Sequence, residues 1–319
     1  LIMGSIALMA YQYIKKEKYR RLQQLHTSED LKHSPQEIGS RMRFLENYTE
    51  EHISVIPNSH SFVVKLDGRN FARLLSEFNN NCIENNTVPY SSEIQTALEY
   101  TVADCMREFH ANTGYIYSDK MLLVFAPDYH IFGGRISKLH SVISSYATAR
   151  FIANLTHLNN NIDNNNHYLN SLLSYNHCKL GFISTITVFP DFNELELVNY
   201  LAWHNNGMAE QRFKQHLMKY YSQDNGVNMQ NLVNELEEQF NVRYDFINTG
   251  MRQGVYIKRQ EYNDDVSYIK FILPKVTANK ETLEFMFDKS VQEWELRLIT
   301  DDESIGFVEI ERQVPVYDV

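Results

Sequence analysis

The sequence predicts an α+β fold: an antiparallel sheet of the ferredoxin-like kind, with helices on one face and additional helical and C-terminal elements. Two observations carry this. The segments Val63–Phe71 and Gly114–Phe125 each hold an apolar, β-prone run with a lone Asp beside it. Between and after them lie two stretches of helical period. The order strand, helix, hairpin, helix is that of a ferredoxin-like unit.

From the N-terminus, residues 15–50 are charged and helical in character, with Leu22, Leu25 and Leu31 loosely spaced. Pro57-Asn58-Ser59 is a turn ahead of the first strand. In Val63-Val64-Lys65-Leu66-Asp67-Gly68-Arg69-Asn70-Phe71 the apolar run gives way to Gly-Arg at Asp67, and a helix is expected from near Phe71. Asn79–Asn86 is a polar loop. Over Ser92–His110, Ile94, Ala97, Leu98, Val102 and Met106 recur at helical spacing. Ser118-Asp119-Lys120 separates Tyr115-Ile116-Tyr117 from Met121–Phe125, which predicts a hairpin. Strict strand alternation would put Lys120 on the face opposite Asp119.

A second long helix is expected over Ile136–Leu155, with Leu139, Val142, Ile143, Tyr146 and Ala149 on one side. Asn159–Asn170 is an Asn tract suited to a surface loop. Phe182–Phe189 alternates and stops at Pro190, so it reads as a strand. Glu194–Tyr221 reads as one long helix or two, Gln230–Phe240 as helical, and Tyr244–Arg259 as strands around a turn at Gly250. Three segments result: 1–37, an N-terminal helical segment; 38–260, the palm-like domain; and 261–319, a C-terminal extension without an assigned role.

Composition narrows the function. An apolar content of 43% with 13% aromatics in 319 residues excludes general disorder. A formal net charge of −10 argues against a broad nucleic-acid coat, so any RNA contact needs a local basic face. Cys82, Cys105 and Cys178 are odd in number and far apart, which gives no disulfide framework and favours a reducing compartment. The histidines show no zinc spacing, and there is no P-loop or nucleophile elbow. Leu1–Ala10 is mostly apolar and is followed by Lys15-Lys16-Glu17-Lys18-Tyr19-Arg20-Arg21. That is the pattern of a membrane anchor with a basic flank. The apolar part of residues 1–14 is shorter than the ~20 residues a span needs, so a terminal helix and a cytoplasmic protein are the favoured expectation.

Asp67 and Asp119 are the expected catalytic pair. A carboxylate at a strand end and another in the adjacent hairpin can meet across the sheet and hold Mg²⁺ ions against a nucleoside triphosphate, as in a polymerase palm. Alone, Asp67-Gly68 is equally a turn dipeptide and Asp119 a hairpin tip. Gly68-Arg69-Asn70-Phe71 leads from a strand toward a helix start, whose N–H groups suit phosphate. Arg135 and Lys138 stand one turn apart at the start of the second helix. They suit a triphosphate or an RNA 5′ phosphate as fork and point charge, or form an ordinary solvated face.

The wording of these segments resembles the tRNA-His guanylyltransferases and their close relatives, which carry Asp-Gly-Arg-x-Phe after a strand and Ser-Asp-Glu before another. Further segments are similar, in order: Ile38-Gly39-Ser40-Arg41-Met42; Phe132-Gly133-Gly134-Arg135-Ile136-Ser137-Lys138-Leu139 with Ser141; Tyr200-Leu201-Ala202-Trp203; and Gly254-Val255-Tyr256-Ile257-Lys258-Arg259. The resemblance covers roughly residues 38–260. It implies two Mg²⁺ ions held by Asp67, Asp119 and the Gly68 carbonyl. It implies GTP, and ATP for activation, bound near Gly68, Arg69, Asn70, Phe71, Ser118, Arg135 and Lys138. It further implies 3′-to-5′ addition of GMP to the 5′ end of tRNA or a similar RNA, and a homotetramer.

This chain also departs from the pattern. Lys120 stands where relatives have Glu, Phe182-Ile183-Ser184-Thr185 where they have Phe-Asp-Gly-Arg, and His204–Arg212 keeps only the polar character of their sequence after Trp. Two other functions therefore stay open: a nucleotide- or RNA-binding relative with impaired catalysis, and a palm-type cyclase that makes a signalling nucleotide.

Overall fold

The computed structural model describes residues 35–71, 92–127, 131–160, 180–189, 194–221, 233–234, 237–238, 244, 247, 249–262, 265–273 and 275–288. The chain divides into Leu1–Ile38 and Gly39–Val319, and the sheet lies wholly in the second unit. Residues 1–14, the loop at Asn79–Asn86, most of the Asn tract and most of Gln230–Phe240 lie outside the described residues. Among the described residues, no helix is long and apolar enough to cross a membrane.

The sheet is formed by β1 (Phe62–Arg69), β2 (Thr113–Tyr117), β3 (Lys120–Phe125), β4 (Gly181–Val188), β5 (Val255–Tyr262) and β6 (Asp265–Phe271). Its order is β4-β1-β3-β2-β5-β6, and every neighbouring pair is antiparallel. The helices are α1 (Pro35–His52), α2 (Ser92–Phe109), α3 (Ile136–Asn160), α4 (Leu195–Trp203), α5 (Glu210–Tyr221), α6 (Thr249–Gln253) and α7 (Lys280–Phe287). The run β1-α2-β2-β3-α3-β4 is the expected ferredoxin-like unit.

Strand pleating sorts the core into two layers. Phe62, Val64 and Leu66 of β1, Met121, Leu123 and Phe125 of β3, and Ile186 of β4 share one buried cluster with α2 and α3. Their alternates Val63, Leu122, Val124, Tyr115 and Tyr256 are fully buried too. The second face is therefore covered, and the additional helices hold on there: Tyr200 of α4 donates to Glu46 of α1 at 2.7 Å. Gly114 shows how closely α2 sits on the sheet, since a Cβ there would meet a Val102 methyl at 2.2 Å. Asp104 ties α2 to α3, accepting from Arg150 at 2.7 Å and Asn154 at 3.1 Å.

Two expectations need correction. Gly250 is not a turn between strands; it lies in α6, and the chain turns into β5 at Gly254 instead. Gly254 has φ 87°, and a Cβ there would come within 2.5 Å of the Ile116 carbonyl oxygen, so only glycine fits. The described residues past 260, which end at 288, are also not separate from the sheet. β6 pairs along its length with β5, and Asn112, Thr113 and Lys258 hydrogen-bond the last carbonyls of α7. Glu194–Tyr221 forms one helical run broken by a π-helical turn at His204–Ala209.

Candidate functional site

The site forms at one corner of the sheet, where β1 ends and the β2–β3 hairpin turns. Tyr117 and Lys120 pair across the hairpin, leaving Ser118 and Asp119 as its two-residue loop. Ser118 takes φ 54°, the left-handed conformation such tight turns favour at this place and glycine usually fills. Its hydroxyl lies 2.9 Å from His216 Nε2. The Gly68 N–H donates to the Asp119 carbonyl at 2.9 Å, which ties the hairpin tip to β1. The register pairs Asp67 with Lys120. Both carboxylates are thereby drawn to the same corner.

Lys120 sits between them. Its Nζ is in direct contact with Asp67 Oδ2 and lies 3.8 Å from Asp119 Oδ1. The Lys120 side chain is 6% exposed, against 17% for Asp119 and 46% for Asp67. Alternation had put Lys120 on the face opposite Asp119. That rule fails here because Asp119 is a turn residue, not an extended one, so its side chain folds back toward the same corner.

A buried polar layer underlies this corner. Tyr117 and His204 share a 2.7 Å hydrogen bond between the hydroxyl and Nδ1. Burial, then the charges of Lys65 and Lys120, hold the His204 imidazole well below its usual range, so it is neutral at physiological pH. Burial, then Asp119 and Asp67, pushes the Tyr117 hydroxyl well above its usual range. Lys65 on the same strand face is paired with Glu46. Sequence reasoning missed Tyr117, His204, His216 and Lys65. A lone His in a helix has no spacing signature; only its place directly after Tyr200-Leu201-Ala202-Trp203 could have drawn attention to it.

Residues 40–178 match the family model described as tRNAHis guanylyltransferase. Over those residues the chain is similar to that family. It is 28% identical over 279 residues to the uncharacterized protein R259 of Acanthamoeba polyphaga mimivirus, an alignment that covers 79% of this chain and 89% of the relative. It also resembles a bacterial tRNA(His) guanylyltransferase-like protein solved in complex with ATP. The TM-score is 0.57 at 17% identity, covering 78% of this chain and 99% of the other, which shows a shared fold.

Against the expectations raised by the guanylyltransferase motifs, the site residues separate into groups. Asp67, Gly68, Ser118 and Asp119 come together at the corner. Arg69 and Asn70 follow directly and are exposed, Asn70 with φ 66°. Phe71 is 1% exposed and its ring packs on those of Phe151 and Phe182 at 5.0 and 5.3 Å, so what it can offer a nucleotide is the backbone N–H expected of a helix start. Arg135 and Lys138 are not brought to the corner. Gly134 and Ile136 hydrogen-bond Ile56 and Ser54, ahead of the start of β1, whereas Asp67 lies at the other end of that strand. Both side chains are exposed, with Lys138 Nζ 4.8 Å from the Phe132 ring centroid.

The donor set does not fit a pair of magnesium ions. Mg²⁺ asks for near-octahedral oxygen donors at about 2.1 Å. Even with the Gly68 carbonyl as a third oxygen, the gap between the carboxylates is filled by the Lys120 ammonium. A divalent ion at ~4 Å from that ammonium would be repelled by ~8 kcal/mol at an effective dielectric of about 20. Among the described residues, no group of three or more His, Cys, Asp or Glu is arranged to hold a metal ion.

Proposed function

We propose that the chain is a nucleotidyltransferase that adds a nucleotide, GMP from GTP, to the 5′ end of tRNA or a similar RNA, extending the strand in the 3′-to-5′ direction. The observation that carries this is the meeting of Asp67 and Asp119 at one exposed corner of a guanylyltransferase-like palm. In the reaction, the 3′-oxygen of GTP attacks the α-phosphorus of an activated RNA 5′ end. A P–O bond forms to GTP, the bond to the leaving pyrophosphate (or to AMP after activation by ATP) breaks, and the hydroxyl proton is released. Asp67 and Asp119 are the carboxylates beside the reacting atoms. Arg69 and Asn70 present the exposed edge where a triphosphate would lie. Arg135 and Lys138, at the far end of β1, suit an RNA phosphate away from the chemistry.

Incubation of purified protein with 5′-triphosphorylated tRNA and labelled GTP tests this. Incorporation that disappears in Asp67→Asn and in Asp119→Asn, with melting temperatures unchanged within a few degrees, is the expected result. Incorporation surviving in both variants overturns it.

A second reading is favoured by one specific observation, the contact of Lys120 with Asp67. It is a relative that binds nucleotide and RNA without turnover. The same assay decides: retained GTP binding with no incorporation in the unmodified protein selects it.

A further inference from the structure

We propose that the Lys120 ammonium is a resident monovalent cation that holds the place of a divalent ion between Asp67 and Asp119, so that the protein alone binds no divalent cation at this corner. The register puts Lys120 directly across from Asp67. Its Nζ touches Asp67 and lies 3.8 Å from Asp119, so one cation serves both carboxylates. The order of exposure matters. The Lys120 side chain is the most buried of the three and that of Asp67 the most open, so the lysine rises from the floor of the corner and the carboxylates form its walls. A hydrated divalent ion approaching from solvent meets carboxylates that are already paired from below.

Charge explains what the arrangement does. Two carboxylates and one ammonium leave the corner with a single formal negative charge. That is too little to strip water from a divalent ion held at an ammonium's side, since Mg²⁺ dehydrates reluctantly. It is also the wrong sign for an unaccompanied triphosphate. If the protein is the proposed transferase, the consequence is a triphosphate that arrives with its own ion, which is then the only divalent ion at the corner. Only this consequence rests on the transferase reading.

The experiment uses Mn²⁺ alone, without nucleotide or RNA, titrated into the full chain and followed by the electron paramagnetic resonance signal of the unbound ion. The variants are Lys120→Met, which keeps the apolar stem, and Lys120→Gln, which is read in its place if the Met form does not fold. The expected result is that the variant binds Mn²⁺ at least about tenfold more tightly than the unmodified protein, and that adding Asp119→Asn to the variant removes the gain. Equal affinities with and without Lys120, or a gain that survives Asp119→Asn, overturn the proposal. Because no nucleotide is present, failure of the transferase reading leaves this result untouched, and the reverse also holds.

Discussion

Gly68 is where two demands on the sequence meet. Its N–H holds the hairpin tip through the Asp119 carbonyl, while the Phe71 ring packs against its Cα. A Cβ at Gly68 would lie 2.5 Å from Phe71 Cδ2, and that ring is pinned in turn by Phe151 and Phe182. Gly68→Ala should therefore cost roughly 1–3 kcal/mol through overpacking. Urea unfolding checks this, and Gly68→Ala combined with Phe71→Leu should recover part of the loss. The Asp-Gly-Arg-x-Phe wording was legible in the sequence, but its meaning was only half legible. Asp67 reads as a site residue and is one of the corner carboxylates. Phe71 reads as a helix start whose backbone suits phosphate; that its ring belongs to the core is not legible, because spacing alone does not say which face a ring takes. Lys120 could be flagged as a departure from the family pattern; its position between the carboxylates depends on the turn at Ser118-Asp119, which a strand rule does not describe.

At the scale of elements, a strong internal tie among the described residues joins α2 to α3. Asp104 is buried and accepts from Arg107, Arg150 and Asn154, two of which come from the opposite helix. Asp104→Ala should strand Arg150 and Asn154 against the helix pair and cost about 2 kcal/mol or more, less than a fully buried pair because Arg150 keeps partial contact with water. Denaturant unfolding measures it, and Asp104→Asn should lose less by keeping an acceptor. The two helices were legible from apolar periodicity alone, since Ile94, Leu98, Val102, Leu139 and Ile143 all lie in the core they share. β6 was not legible. Among the described residues it lies at the sheet edge, its pairing with β5 depends on main-chain hydrogen bonds, and main-chain pairing leaves a weak trace in side-chain pattern. The helix at Thr249–Gln253 reads in the sequence as a turn at Gly250 between strands, because so short a helix shows no period.

At the scale of the whole molecule, the question is what holds α7 to the sheet. Lys258 of β5 is central to it. Its side chain is buried and donates to the carbonyl oxygens of Asn112 at 3.3 Å, Met286 at 3.3 Å and Asp288 at 2.7 Å. The Phe285 ring lies 4.9 Å from the ammonium. One side chain thus joins the entry to β2, strand β5 and the end of α7. Burial draws its pKa down from 10.5 to about 7, with Asp288 opposing. The sign of the linkage is then fixed. Between about pH 7 and 10.5 the unfolded chain holds this proton and the folded chain has released it, so unfolding free energy rises with pH across that window. Above pH 9 the buried Cys105 thiol, whose pKa is raised mainly by desolvation, works in the opposite direction, so the clean interval is pH 7 to 9. The unmodified protein should gain stability over that interval by up to about 1.4 kcal/mol per pH unit. Lys258→Met should lack this gain, whatever its stability at pH 7, because every other titrating group is common to both proteins. Urea unfolding at pH 7, 8 and 9 on the pair measures the difference in slope. Parallel profiles would mean that the carbonyl cage keeps Lys258 charged throughout, and that the anchoring of α7 does not depend on pH.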